Sequence, residues 1–378
     1  MSTPPCYQLW DIEKDPVGTY EAMRARGPVF WDARYRTWFV TDYSLGQAVL
    51  KNPSASAMTT HLLQASVYPP EAQSLLTPLI ALLKQWPLFQ EGEIHRQQRQ
   101  LAQRHLQAGA LSQLLEKIPA QTDQRLAQAA SCFDFIDVIA RPTPIATIAA
   151  LLGLPTRDYP LFQRWSDSLA EVFFSQIKLA PQIKIATEHL AEALDYFDRL
   201  GPPYAEAPAS YLMLLITGIE TSQALIGNAF YQLMQHPAER DKLKRNPELI
   251  HQAIDSALRF HAPIQSILRV AQAPLSIESA QVKTGEAIRL MVGAMHQDPR
   301  YYHQPLRFSI DPQNQTHLAF GSGVHFCLGQ QVIRQTAATL IMHLTTRATR
   351  WQLSDTPPPI AHTLSSSKVQ RLLITRGS

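Results

Sequence analysis

Apolar positions three and four residues apart dominate this chain and predict a mainly helical protein. The spacing is helical from His95 to Ile118, Ala140 to Leu152, Asp158 to Phe174 and Pro181 to Leu200, with Pro155 and residues 175–180 as breaks. Ser210 is placed to cap a helix over Tyr211 to Gln235, which Pro237 ends. Asn246 and Pro247 supply an N-cap and first-turn pair for a helix running to Phe260. A last long helix is predicted from Leu328 to about Arg347. Two regions read as strands instead. Pro28–Trp31 and Thr37–Thr41 read as a hairpin around a polar turn, and residues 264–292 are β-rich with a turn at Lys283–Glu286. Residues 56–90 are apolar but interrupted by proline, which predicts a shaped loop with short helices. The order is many helices, a small β region, then a cysteine-bearing loop and a final helix.

Composition narrows the function classes. The chain has 378 residues with no Gly/Ser tract, charge run or repeat, so one large domain over 1–378 is expected. A formal charge of +3 gives no argument for nucleic acid as partner. Three cysteines, Cys6, Cys132 and Cys327, have neither disulfide-framework nor zinc spacing. The first residues lack a signal-peptide pattern, and the apolar run Tyr211–Ile219 is interrupted by Glu220. A cytoplasmic protein without a membrane anchor or fused reductase is expected.

The most specific segment is residues 319–329, Ala-Phe-Gly-Ser-Gly-Val-His-Phe-Cys-Leu-Gly. Glycines permit backbone conformations that a Cβ forbids. A cysteine at the start of a helix receives unpaired N–H groups at its sulfur, which predicts a lowered thiol pKa and an anionic ligand. The spacing Phe320-x-x-Gly323-x-x-x-Cys327-x-Gly329, with Gly321 and His325, resembles the haem-ligand signature of the cytochrome P-450 superfamily. Its four fixed letters arise by chance in roughly one of several thousand chains of ordinary residue usage. The resemblance covers nearly the whole chain. It implies a mainly α cytochrome P-450 fold, a large helical domain with small β-rich parts near 28–41 and 264–292. It also implies haem b (iron protoporphyrin IX) with Cys327 as axial thiolate, Phe320 shielding the sulfur, and Gly321 and Gly329 shaping the loop.

Further segments match in order. Thr217-Gly218-Ile219-Glu220-Thr221 resembles the family's oxygen-activation motif, with threonine in place of the usual alanine. Gly218 would let the helix pass close over the porphyrin. Thr221 would hydrogen-bond one turn back and, with Glu220, deliver protons. His95 and Arg99 share one helical face and, with Arg269 and His325, match the family's propionate partners. The family's Glu-x-x-Arg motif is incomplete, because Arg259 is present but Ser256 holds the glutamate place. Asp255 is rotated by about 100° from it. The arginine expected ahead of the cysteine loop is also missing, with Pro312 near its place, and the join between Leu200 and Ser210 is short.

The resemblance implies a monooxygenase that inserts one atom of O2 into a lipophilic small molecule. Its electrons would come from a ferredoxin- or flavodoxin-type donor with its reductase. A peroxide-dependent peroxygenase, or a haem-binding protein with reduced or lost catalysis, remain as alternatives.

Overall fold

The computed structural model describes residues 8–60, 70–106, 108–174, 179–310, 316–347 and 350–377. Its α-helices are α1 (Pro16–Ala25), α2 (Tyr43–Lys51), α3 (Pro70–Leu83), α4 (Gly92–His105), α5 (Ala108–Leu115), α6 (Ile118–Gln128) and α7 (Pro142–Leu151). They continue with α8 (Tyr159–Phe174), α9 (Ala180–Leu200), α10 (Pro208–Gln235), α11 (Pro237–Arg245), α12 (Ile250–Phe260), α13 (Val292–Met295) and α14 (Gln330–Thr345). The strands are β1 (Val29–Asp32), β2 (Thr37–Val40), β3 (Ala55–Ser56), β4 (Cys132–Asp134), β5 (Ile267–Ala271), β6 (Leu275–Ile277), β7 (Ala280–Val282) and β8 (Ala287–Leu290). Near the end lie β9 (Trp351–Leu353), β10 (Ile360–His362), β11 (Ser367–Val369) and β12 (Leu373–Arg376).

Helix α10 is the axis of the molecule. It is apolar on every side, as a helix enclosed by protein must be. Its first half, Tyr211 to Ile219, joins an apolar cluster with α3, α7, α8 and α9. Its second half, Leu225 to Met234, joins another with α12, α14 and the β4, β9 and β12 strands. Among the described residues α10 is the one helix long and apolar enough to cross a membrane, and 72% of its apolar window is buried inside the fold. Each fully buried Leu or Ile here contributes about 1.5–3 kcal/mol of transfer free energy.

The predicted hairpin is the antiparallel pair β1–β2, with Phe30 opposite Phe39. It extends into a five-stranded sheet of order β1-β2-β8-β5-β3, in which β2 and β8 run parallel. The β-rich stretch expected over 264–292 contributes β5 to β8.

Several boundaries differ from expectation. The helix expected from His95 to Ile118 is broken after His105, where Leu106 leaves helical geometry (φ −104°, ψ 33°) and packs toward the core. The chain resumes as α5 and α6. Residues 70–83 form one helix rather than short pieces. Pro78 lies inside it, and burial of Leu76, Leu79, Ile80, Leu82 and Leu83 offsets the missing N–H. The remainder of that apolar stretch, 61–69, lies outside the described residues, as do Cys6, residues 175–178 and Pro312. Ser210 is not a cap, because α10 starts one turn earlier with Pro208 at the favoured first position. Asn246 and Pro247 do hold the N-cap and first positions of a 3-10 turn that leads into α12, but the Asn246 amide donates back to the Lys242 carbonyl (3.0 Å), closing α11. Leu328 belongs to the loop, and α14 begins after Gly329.

Candidate functional site

The cysteine loop is held by backbone geometry that glycine alone provides. Gly321 and Gly323 have φ of 71° and 73°. A Cβ on Gly323 would stand 2.6 Å from the Leu50 carbonyl oxygen at the end of α2. The loop then closes on itself: Phe326 N–H donates to the Gly323 carbonyl (3.0 Å), and Cys327 N–H to the Phe320 carbonyl (2.9 Å). This sets the Cys327 sulfur at the N-terminus of α14, where the Gly329 and Gln330 N–H groups donate to it. Gly329 itself has an ordinary φ of −85°, so its contribution is the donor and not a left-handed turn. The Phe320 ring lies 5.6 Å from that of His317 and 6.4 Å from that of Phe326.

The expected fall in thiol pKa does not follow from the protein alone. Burial pushes the Cys327 thiol up, and this outweighs the opposing pull of the two N–H donors and Arg99. A metal cation bonded to sulfur is what reverses that balance, since coordination deprotonates a thiol.

Four of the basic residues singled out by sequence gather beside this loop. Arg99, on α4, donates through Nη2 to the Phe326 carbonyl (2.9 Å), one residue from the sulfur. His95, one turn earlier, lies with its ring 4.3 Å from that of His325. Burial lowers the pKa of both, that of His325 to about 4 with Arg269 and His95 adding to the effect. His95 Nε2 is buried without a hydrogen bond among the described residues, whereas His325 Nε2 faces the Glu91 carboxylate at 3.3 Å. Arg269, on β5, is buried, and among the described residues its guanidinium donates to the carbonyl of its neighbour Leu268 (2.9 Å). Burial depresses its pKa to about 10, while Glu91 opposes that.

Glu91 was not found by sequence reasoning. It precedes α4, where an acidic residue reads as an ordinary helix start. Its carboxylate accepts from Ala57 N–H (2.8 Å) and the Ser56 hydroxyl (3.1 Å), and lies 3.3 Å from His325 Nε2. Burial works to raise its pKa, but these donors and His325 hold it below the usual range.

On α10, the Thr221 hydroxyl donates one turn back to the Thr217 carbonyl (2.6 Å), as expected, and the Thr217 hydroxyl does the same to Met213 (2.7 Å). Two successive back-bonds of this kind loosen the helical ladder. At Gly218 a Cβ would meet Ile148 Cδ1 at 3.0 Å, so this glycine also permits a close approach of α10 to α7.

Glu220 is 6% exposed, with one carboxylate oxygen paired to Lys368 of β11 and the other, Oε2, unpartnered. Lys368 was also missed. It is placed by Asn228, whose amide donates to the carbonyls of His261 (3.0 Å) and Ser367 (3.1 Å) and accepts from Val369 N–H (3.0 Å). The available signal was an asparagine inside an apolar helical run, since a buried amide needs partners.

The Asp255 carboxylate faces Arg334 (2.5 Å) and His317 (3.4 Å), away from Arg259, as its rotation around the helix predicts. Arg259 is buried against backbone carbonyls only, and Ser256 makes no bond to it.

A sulfur at a helix N-terminus, faced by a cluster of buried donors with unused hydrogen-bonding capacity, defines a site for a metal-bearing planar group with acidic substituents. The unpartnered His95 nitrogen, Arg99 and Arg269 are donors of the kind two propionates need. Haem therefore fits these residues.

Known proteins agree. The cytochrome P450 family model matches residues 201–373. The biotin biosynthesis cytochrome P450 of Bacillus subtilis is 28% identical, spanning 90% of this chain and 91% of that protein. Cytochrome P450 monooxygenase PikC of Streptomyces venezuelae is 26% identical, spanning 92% and 87%. A crystal structure of P450BioI with an acyl carrier protein bearing hexadec-9Z-enoic acid superposes with a TM-score of 0.88 at 26% identity, covering 97% of this chain and all of that one. The chain has the cytochrome P450 fold, and these matches support membership of the cytochrome P450 superfamily. It is an oxygen-incorporating oxidoreductase that binds haem b through a cysteine thiolate.

Proposed function

We propose that Cys327 is the axial thiolate, that His95, Arg99, Arg269 and His325 hold the propionates, and that Glu220 and Thr221 manage protons during oxidation of an apolar organic substrate. When bound, haem supplies O2 activation, and a thiolate ligand favours O–O cleavage. The chain's own part is ligation, orientation and proton handling. The Gly329 and Gln330 N–H groups tune the sulfur through hydrogen bonds. Thr221 keeps its hydroxyl oriented by the bond to Thr217, and Glu220, tied to half-exposed Lys368, connects the buried helix to the protein surface. The convergence of His95, His325, Arg99 and Arg269 beside the Cys327 loop is the observation that carries this reading.

The substrate reading rests on the apolar character of α8 and Leu214, and on the similar P450BioI, whose crystal structure is a complex with an acyl carrier protein bearing hexadec-9Z-enoic acid. Electrons would come from a ferredoxin- or flavodoxin-type donor. Val324 (67% exposed) and Phe326 are exposed apolar residues of the cysteine loop, and α4, whose Arg99 donates to the Phe326 carbonyl, also carries Arg96 and Arg104, which suits an acidic partner. A cytoplasmic location goes with such a partner.

The test is the carbon monoxide difference spectrum of the reduced protein, followed by turnover with ferredoxin and its reductase. The thiolate-type Soret shift is expected in the wild type and its loss in Cys327→Ser. A Cys327→Ser protein with an unchanged spectrum would refute the ligand assignment. Thr221→Ala is expected to raise peroxide release relative to product, and unchanged coupling would remove Thr221 from proton delivery.

A further inference from the structure

Among the described residues Arg259 is a buried cation without an anion. It is 2% exposed, and its guanidinium donates to the carbonyls of His296 (3.1 Å), Pro305 (2.9 Å) and Arg307 (3.1 Å). Among the described residues no carboxylate accepts from it, and its Nε has no partner. The rings of Tyr302 and Phe260 lie 5.2 and 5.8 Å from Cζ and offer only weak compensation. One turn earlier on α12, Ser256 is 1% exposed and its hydroxyl is also unpartnered. Two donors on one helical face thus lack an acceptor, and carbonyl dipoles do not replace the charge of a carboxylate.

Arg259 also lies on the wall of a cleft of about 210 Å3 between α1, the end of α10, α12 and β10. None of the residues grouped around Cys327 lines it. Two further buried atoms on this wall, Gln297 Oε1 and His362 Nδ1, have no hydrogen-bond partner. A histidine Nδ1 donates in the appropriate tautomer, and a glutamine amide donates once its nitrogen faces inward. The cleft is several times the roughly 30 Å3 a water occupies, so a small ion and its hydration fit.

We propose that Arg259 binds a small monovalent anion, a carboxylate such as formate or a halide, which reaches it through this cleft. The Arg259 Nε–H and the Ser256 hydroxyl are the donors that hold it. Gln297 and His362 line the approach. The ion supplies the negative charge that position 256 does not, and it stabilises the packing of α12 against the segment carrying His296, Pro305 and Arg307.

The experiment follows thermal unfolding of the haem-loaded protein in sodium formate, chloride or gluconate at equal ionic strength. Formate or chloride is expected to raise the midpoint saturably over gluconate by roughly 2 °C or more. Ser256→Glu should raise the midpoint in gluconate and flatten the anion response at least threefold. A response to formate alone assigns a carboxylate site, and a response to chloride alone a halide site. Superimposed curves in the three salts, or an equal response in Ser256→Glu, would overturn the proposal. Crystals of the wild type soaked in bromide give a reading that does not depend on the variant folding. An anomalous peak within hydrogen-bond reach of Arg259 supports the site, and its absence at saturating bromide, with no formate effect on the midpoint, sinks it.

Discussion

Replacing Asn228 tests whether one buried amide aligns β11 with α10. Asn228 is 0% exposed and joins three backbone groups, the His261 and Ser367 carbonyls and the Val369 N–H, at 3.0, 3.1 and 3.0 Å. Leucine is close to asparagine in size but offers no polar atom, so Asn228→Leu leaves all three groups buried and unsatisfied. At about 1–3 kcal/mol for each stranded group, with partial relaxation, the expected loss is about 3–5 kcal/mol. Alanine leaves a space that one water can fill and hydrogen-bond, so Asn228→Ala should cost about half as much. Guanidinium unfolding of the haem-loaded protein, with a slope unchanged from wild type, measures both. Because β11 also carries Lys368, the leucine variant should release more peroxide per electron pair. A leucine variant no less stable than the alanine variant, or a loss below about 1 kcal/mol, would refute the reasoning.

Other expectations follow from the same contacts. Lys368→Met removes the partner of Glu220 and should raise peroxide release several-fold while leaving the haem spectrum unchanged. An unaltered product-to-peroxide ratio would exclude Lys368 from positioning the acid. Gly218→Val drives side-chain atoms into Ile148 and should cost about 1–3 kcal/mol. Ile148→Ala in the same chain should recover part of that loss, and strict additivity would show that the two do not touch. Burial lowers the pKa of His261 to about 3 from 6.5, so the folded chain keeps it neutral where the unfolded chain takes up a proton. Its contribution is complete above pH 6.5 and is lost as pH falls toward 3, by about 1.4 kcal/mol per unit. His261→Gln should flatten the pH dependence of the denaturation midpoint between pH 6 and 4, and parallel curves would contradict this. Gly323→Ala should impair haem retention on overnight dialysis, because a Cβ 2.6 Å from the Leu50 carbonyl displaces the cysteine loop. Full retention would show that the loop has room.

The sequence by itself determined what local spacing can encode. The Phe320–Gly329 signature marked Cys327, and the four-residue spacing of His95 and Arg99 put them on one helix face. The helical run Tyr211–Gln235 marked α10, and two short strand-like runs around a polar turn marked β1 and β2. The Asp255 frame shift at the incomplete Glu-x-x-Arg motif was equally legible, because 100° per residue fixes which side chain can replace which. Tertiary structure decided everything that depends on distant segments meeting. Glu91 joins His325 across 234 positions, and Lys368 reaches Glu220 from a strand 148 residues away. No helical or strand period reports such pairs. Gly218 also lies against Ile148, a neighbour that only packing of α7 on α10 supplies. The direction of the Cys327 pKa shift was likewise a tertiary quantity. The sequence exposes the helix terminus and its N–H donors, whereas the larger opposing effect, burial of the sulfur, exists only once the surrounding elements have closed over it.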